Sequence, residues 1–366
     1  MSEFARTRLI LARTRARWTA ATLAESLGVN RSAVSRWESG AAVPSADMVE
    51  RAARLLNHPV GFFYASELDL LAPDGVAFRS LSRLRARDRD AATAAGNYAV
   101  LISDWLDAAF ALPPVDVPDY TAATPLQAAD ALRAAWGLGD RPLPNLVHLL
   151  EARGVRVFSL VEDCSDLDAF SFWHDGRPFV LLNTQKSAER SRLDAAHELA
   201  HLVLHRHRQL ASKEAEREAY EFAGQLLMPA TAIKGMARRV VTLETLLELK
   251  AFWGASAAAV AFRLHAVGAI SDWTYRQLFQ QLSVRGWRRA EPNPEPREVS
   301  QAFAKIYDHL ALEGVSRKDV ARELQIPLRQ LQGLTFGPAA VAQGRPEPHS
   351  HTLSTVSSPA PLTLVE

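Results

Sequence analysis

Two histidines four residues apart, His197 and His201, stand in a stretch that is otherwise almost wholly apolar, and this pairing constrains the chain more than any other feature. Leu193, Ala196, Leu199, Ala200, Leu202, Val203 and Leu204 surround them at helical spacing, so the segment reads as a buried helix over about 189–206. On a helix, positions i and i+4 lie one turn apart on the same face. Imidazoles placed in this way can reach one tetrahedral zinc ion through bonds of about 2.0–2.1 Å. Glu198 follows the first histidine directly. Its carboxylate then adjoins the open coordination position, where it can take a proton from water. The five-residue pattern is short enough to arise by chance, so the reading turns on a third ligand.

Three candidates compete for that place. His205 extends the histidine row, but along a straight helix it lies about 12 Å from His197 and cannot share an ion. His207 has the spacing of the HExxHxxGxxH enzymes, yet Leu204 stands where that pattern needs its chain-turning glycine. The third is a glutamate of the next helix, Lys213–Met228, which Pro229 stops. Ala215, Ala219, Phe222, Ala223, Leu226 and Leu227 mark its buried face. On a helical wheel Glu216 falls at the edge of that arc, whereas Glu214, Glu218 and Glu221 belong to a solvated face. An inward carboxylate needs a partner, and a metal is one. Glu216 is therefore the expected third ligand to one Zn²⁺ per chain.

At 366 residues the chain has room for two or three domains, and 48% hydrophobic with 23% charged residues is ordinary for a globular protein. Cys164 is the only cysteine, which excludes an intramolecular disulfide and any cysteine-based zinc site. Met1–Ala12 is too polar and arginine-rich for a secretory leader, and no apolar run of about 18 residues occurs. A cytoplasmic protein without membrane contact is expected. Net charge is +1, but residues 1–65 carry nine arginines against five acidic side chains, a local surplus of +4.

The expected fold is mostly α with a small β-sheet. An all-α unit spans 1–68, a helical connector 78–112, an α+β domain 125–285, a small helical unit 298–337, and a disordered tail 338–366. The connector opens with Arg79, Arg83, Arg85, Arg87 and Arg89, and a proline-bearing linker, Pro113–Pro125, precedes the α+β domain. Short strands are expected at Val155–Leu160, Ala169–Trp173 and Phe179–Asn183, the last two joined by a hairpin through His174-Asp175-Gly176-Arg177. In the first unit Thr19 caps one helix, Gly28 breaks it, and Asn30 or Arg31 opens a second that ends at Ser39. Leu23, Ala24, Leu27, Val29, Val34 and Trp37 pack the two across the glycine turn. Arg31, Ser32, Ala33, Ser35 and Arg36 remain free on the second helix, a face suited to a major groove of double-stranded DNA.

Two resemblances add to this reading. Thr22–Val29 followed by Ser32–Gly40 resembles the XRE/Cro-type helix-turn-helix, with Ala20 where that family often has glutamine. The run from Glu216 through Ala219, Phe222 and Ala223 to Leu226-Leu227-Met228-Pro229 resembles the ExxA(N/D)xFAxxLLMP block of the ImmA/IrrE metallopeptidases, whose HExxH is similar to His197–His201. That likeness, over about 140–270, implies a gluzincin-like site with Glu216 as third ligand and a small sheet packed on the motif helix. Tyr220 departs from the usual Asn or Asp, which would hydrogen-bond a ligating histidine. Tyr220 and His205 are the candidates for a supporting or oxyanion contact. Together the resemblances imply a cytoplasmic, DNA-binding zinc endopeptidase and transcription regulator that cleaves a repressor of XRE type in a stress or mobile-element response. A homodimer is an open option. The rival is a regulator whose metallopeptidase-like domain senses a metal or ligand without proteolysis. An extended substrate is expected to add to a sheet edge near Phe170–Trp173 or Phe179–Leu182. Val315–Ile326 has a second helix-turn cadence, for which packing is the expected role.

Overall fold

Capping side chains and left-handed residues cut the start of the chain into helices α1 (Arg6–Arg15), α2 (Ala20–Leu27), α3 (Arg31–Ser39) and α4 (Ala46–Leu56). Thr19 Oγ1 accepts from Thr22 N–H, and Ser45 Oγ from Met48 N–H. Gly28 and Gly40 end α2 and α3 at φ +70° and +80°, a conformation that a β-carbon resists. Leu9, Leu11, Ala12, Leu23, Leu27, Val34 and Trp37 form the core of this unit. Ile10 beside them is only half-buried.

The structure is a computed structural model that describes residues 3–72, 77–78, 85–160, 167–206, 212–237, 240–288, 290–337 and 363–364, with 77–78 and 363–364 described by backbone alone. Arg79, Arg83, Cys164, His207 and all of the tail except Thr363 and Leu364 lie outside the described residues.

The segment expected to connect two domains holds a two-residue strand, β1 (Ala77–Phe78), and a long helix, α5 (Ala86–Ala109). Every residue from Ala91 to Val100 in α5 is buried. Most of them are small, which lets neighbours approach on several sides, and α1 packs along this helix. His58 Nε2 lies 2.6 Å from Tyr98 Oη, and Arg17 Nε 2.9 Å from Asp88, which tie the N-terminal unit to α5. Burial lowers the His58 pKa to about 4 against the opposing pull of the Leu56 carbonyl, so the ring is neutral at pH 7.

Beyond α5 come β2 (Phe110–Ala111), α6 (Pro125–Ala135), α7 (Leu146–Ala152), β3 (Arg156–Leu160), β4 (Ala169–His174), β5 (Arg177–Asn183), α8 (Ala188–Leu204) and α9 (Lys213–Leu227). The proline-bearing segment before α6 folds back on the domain, with Tyr120 N–H bonded to the Val203 carbonyl at 2.9 Å. Asp175 and Gly176 turn β4 into β5 with φ of +48° and +73°, the two positive values that a tight hairpin demands. The sheet runs β1-β4-β5-β3, with β4 antiparallel to β5 and β3 parallel to it. Successive side chains of a strand face opposite ways. Ser171 meets Glu198 on α8, while Phe170 and Phe172 point away toward Gly96 of α5, where a β-carbon would lie 3.5 Å and 3.2 Å from their rings. The sheet is thus held between α8 and α5.

This order corrects part of the expected docking edge. β5 is an inner strand, so Phe179–Leu182 offers no edge, and β1 pairs with β4 opposite Phe170 and Ser171. At those two residues the chain's own backbone takes the place proposed for a partner, while Phe172 and Trp173 pair only with β5 among the described residues.

The remaining helices are α10 (Ala230–Met236), α11 (Leu243–Trp253), α12 (Ala257–Ala266), α13 (Asp272–Val284), α14 (Gln301–Leu312), α15 (Arg317–Glu323) and α16 (Leu328–Leu334), and β6 (Thr363–Leu364) pairs with β2. Phe303 packs on Phe158 at 5.3 Å, and Phe336 N–H donates to Ser159 Oγ, which seats the last helices against β3. Arg15 to Gln330 and Trp105 to Glu323 bind them to α1 and α5 as well. Between α8 and α11 lies a buried ion cluster in which Lys250 Nζ contacts Glu189 and sits 3.3 Å from Glu291. Among the described residues no single helix is long and apolar enough to cross a membrane.

Candidate metal centre

Helix α8 starts at Ser187, whose hydroxyl accepts from Arg190 N–H, and presents its motif inward from the sheet. His197 and Glu198 are fully buried and His201 nearly so. Helix α9 is capped by Ser212 and packs along α8 through Ala219, Phe222 and Ala223. That packing carries Glu216, in the first turn of α9, to the two histidines. His197 Nε2 and His201 Nε2 are 3.2 Å apart, and the Glu216 oxygens lie 3.5 Å from the first and 3.6 Å from the second. Tetrahedral donors around zinc at about 2.0–2.1 Å stand roughly 3.3 Å from one another. The three distances therefore suit one such ion, and the donor set, two imidazoles and a carboxylate, has the chemistry of a zinc site. Burial opposes ionisation of Glu216, but the imidazoles of His197 and His201 outweigh it and bring its pKa down to about 2. Its side chain is 24% exposed, which leaves the centre open on that side.

Other polar groups surround the three donors. Ser171 Oγ lies 2.7 Å from Glu198 Oε2, a hydrogen bond from sheet to helix that sequence patterning did not suggest. Tyr220 sets its ring across that of His197, with centroids 4.6 Å apart at 63°. His205 leaves the end of α8 and places Nδ1 3.0 Å from His201 Nδ1. Its Nε2 is 2.9 Å from Glu218 Oε2. The assignment of Glu218 to a solvated face is thus corrected, because it meets a buried histidine that the wheel of α9 alone could not reveal. Glu214 and Glu221 do sit outward, beside Arg217. A cleft of about 900 Å³ lined by Leu193, Tyr220, Met228, Phe262 and Trp287 opens next to the centre.

In the N-terminal unit, Arg31, Ser32, Ser35 and Arg36 are exposed on α3 and Ala33 is half-buried, while Val34 and Trp37 anchor the helix. The polar face of α3 is therefore presented to solvent by the packing of its apolar one.

Comparison with known families matches residues 150–265 to a peptidase family described as the IrrE N-terminal-like domain, and residues 6–60 to a helix-turn-helix domain. His197, Glu198, His201 and Glu216 fall in the first span, and Arg31–Arg36 in the second. No curated protein matches the chain.

Proposed function

We propose that this chain, a helix-turn-helix domain joined to an IrrE N-terminal-like peptidase domain, is a DNA-binding, zinc-dependent endopeptidase of the cytoplasm that regulates transcription by cutting a repressor of XRE type, in a stress or mobile-element response. The observation that carries the reading is the triangle of His197, His201 and Glu216 donors, with Glu198 next to the first in the chain. A zinc ion held there supplies Lewis acidity to a peptide carbonyl and makes water more acidic. His197 and His201 hold position through a buried helix, and Glu216 completes the set from a second one. Glu198 accepts the proton of the attacking water on its carboxylate and returns it to the leaving amine. Ser171 orients that carboxylate by donating to Oε2. The cleft beside Tyr220 offers room for substrate side chains.

The proposal is tested first by metal content. Purified wild type is expected to carry about one zinc per chain and His197→Ala almost none, because two ligands hold zinc far more weakly than three. Equal zinc in both sinks the site. The DNA half rests on the exposed face of α3. Arg31→Ala and Arg36→Ala are expected to weaken binding to duplex DNA and to flatten its salt dependence by a slope of about 0.9 for each phosphate left without its arginine. Unchanged binding would make α3 a protein-binding face.

One observation favours the second reading, a sensor without proteolysis. Tyr220 packs its ring on His197 at the position where the resembled family places a hydrogen-bonding Asn or Asp. Zinc binding without cleavage of any XRE-type protein would select it.

A further inference from the structure

We propose that His205 and Glu218 are positioning residues that fix the tautomer of His201 and aim the Nε2 lone pair of that ring at the metal position. The inference rests on the metal centre proposed above and deepens it. A carboxylate only accepts hydrogen bonds, so His205 Nε2, 2.9 Å from Glu218 Oε2, is the donor in that pair. A neutral imidazole carries a single N–H, which leaves His205 Nδ1 as an acceptor. His201 Nδ1, 3.0 Å away, must then supply the proton of the bond between the two rings. With its proton on Nδ1, His201 keeps a bare lone pair on Nε2. That atom faces His197 Nε2 at 3.2 Å and Glu216 Oε1 at 3.6 Å. The bare nitrogen of His201 and the carboxylate oxygen of Glu216, 3.6 Å apart, are both electron-pair donors that a cation between them would satisfy. The proton order is one-directional, from His201 through His205 to Glu218, and no other tautomer of the two rings satisfies both bonds and still leaves His201 a ligand.

The fold supplies both ends of this chain from one helix. Glu216 and Glu218 stand two positions apart on α9, and such side chains diverge to different sides of a helix. Glu216 therefore approaches His201 at Nε2, while Glu218 reaches the opposite side of the ring through His205. His201 and His205 are both nearly fully buried, where a misplaced proton would leave polar atoms without compensation. Ligating histidines commonly donate their second ring N–H to a carboxylate or carbonyl, and loss of such a partner costs metal affinity. Here a second histidine is interposed.

The test uses the full chain and the affinity for Zn²⁺, read by competition with a chromophoric chelator. His205→Ala and Glu218→Ala are expected to bind Zn²⁺ about 10–100-fold more weakly than wild type. His205→Asn places an amide oxygen near the missing Nδ1 acceptor, and Glu218→Gln keeps an oxygen acceptor, so both are expected to recover most of the affinity. Nitrogen-15 imidazole spectra of the zinc-loaded wild type should show the proton of His201 on Nδ1 and that of His205 on Nε2. Wild-type affinity in both alanine variants, failure of the Asn and Gln variants to recover it, or the opposite tautomers would each overturn the relay. The centre itself fails differently, by a wild type that binds no Zn²⁺ or by Glu216→Ala binding as tightly as wild type.

Discussion

Glu198→Gln is expected to retain its zinc and to lose peptide hydrolysis by about 10²–10⁴-fold, the range that a positioned general base contributes. The substitution suits its purpose because glutamine has nearly the shape of glutamate and an oxygen that can still accept from Ser171 Oγ, the bond now 2.7 Å long. The buried site therefore keeps its packing and its sheet contact. What changes is proton affinity, since an amide cannot take a proton from water near neutral pH. The experiment incubates wild type and variant, each with one equivalent of zinc, with the XRE-type proteins of the host and locates any cut by mass spectrometry. A defined cut by wild type alone supports both the enzyme and the role of Glu198. Equal cutting by the variant would remove the carboxylate from the reaction.

Lys250→Ala is expected to destabilise the fold by about 3–5 kcal/mol, the cost of removing one partner from a buried charge pair. Lys250 is 1% exposed and Glu189 4%, so neither charge has solvent to fall back on. Burial alone would raise the Glu189 carboxyl, but contact with Lys250 and backbone N–H groups, including that of Glu295 at 3.1 Å, hold it below its usual value. Without the ammonium, the carboxylates of Glu189 and Glu291 share one dry pocket. Glu189 lies in the first turn of α8, so the damage falls on the helix that carries His197 and His201. Chemical denaturation of the metal-free chain measures the loss. A second variant, Lys250→Met with Glu189→Leu, removes both charges and is expected to regain much of the stability. A loss under about 1 kcal/mol, the scale of an exposed pair, would contradict the account.

What sequence could reveal here follows the range of each interaction. The inward approach of Glu216 to the histidines is written in the period of two helices, and the β4–β5 turn in the Asp175-Gly176 pair, so both are local readings. The free face of α3 is equally local, because Val34 and Trp37 identify the side that packs. The sheet is different. Its edge at Phe170 and Ser171 is taken by Ala77–Phe78, nearly a hundred residues upstream, and β3 joins in parallel register with β5. No periodicity within β4 announces either neighbour. Helix α5 misleads for a related reason, since its alanines and threonine are weakly apolar one by one and are buried only because the sheet and α1 both close on it. Glu218 meets His205 because the latter sits where α8 has ended, at φ −119°, off the line that an ideal helix projects.

The position of α5 has a thermodynamic consequence. With α1 on one side of it and the sheet on another, and with α8 on the far face of that sheet, the helices of the helix-turn-helix unit and the histidine-bearing helix share one core. A ligand that binds only the folded chain, at a hundred times its Kd, adds about 2.7 kcal/mol to the free energy of unfolding. In a core held in common, that gain does not stay where the ligand sits. A duplex on α3 and an ion at His197 need never touch for each to raise the temperature at which the other's site comes apart.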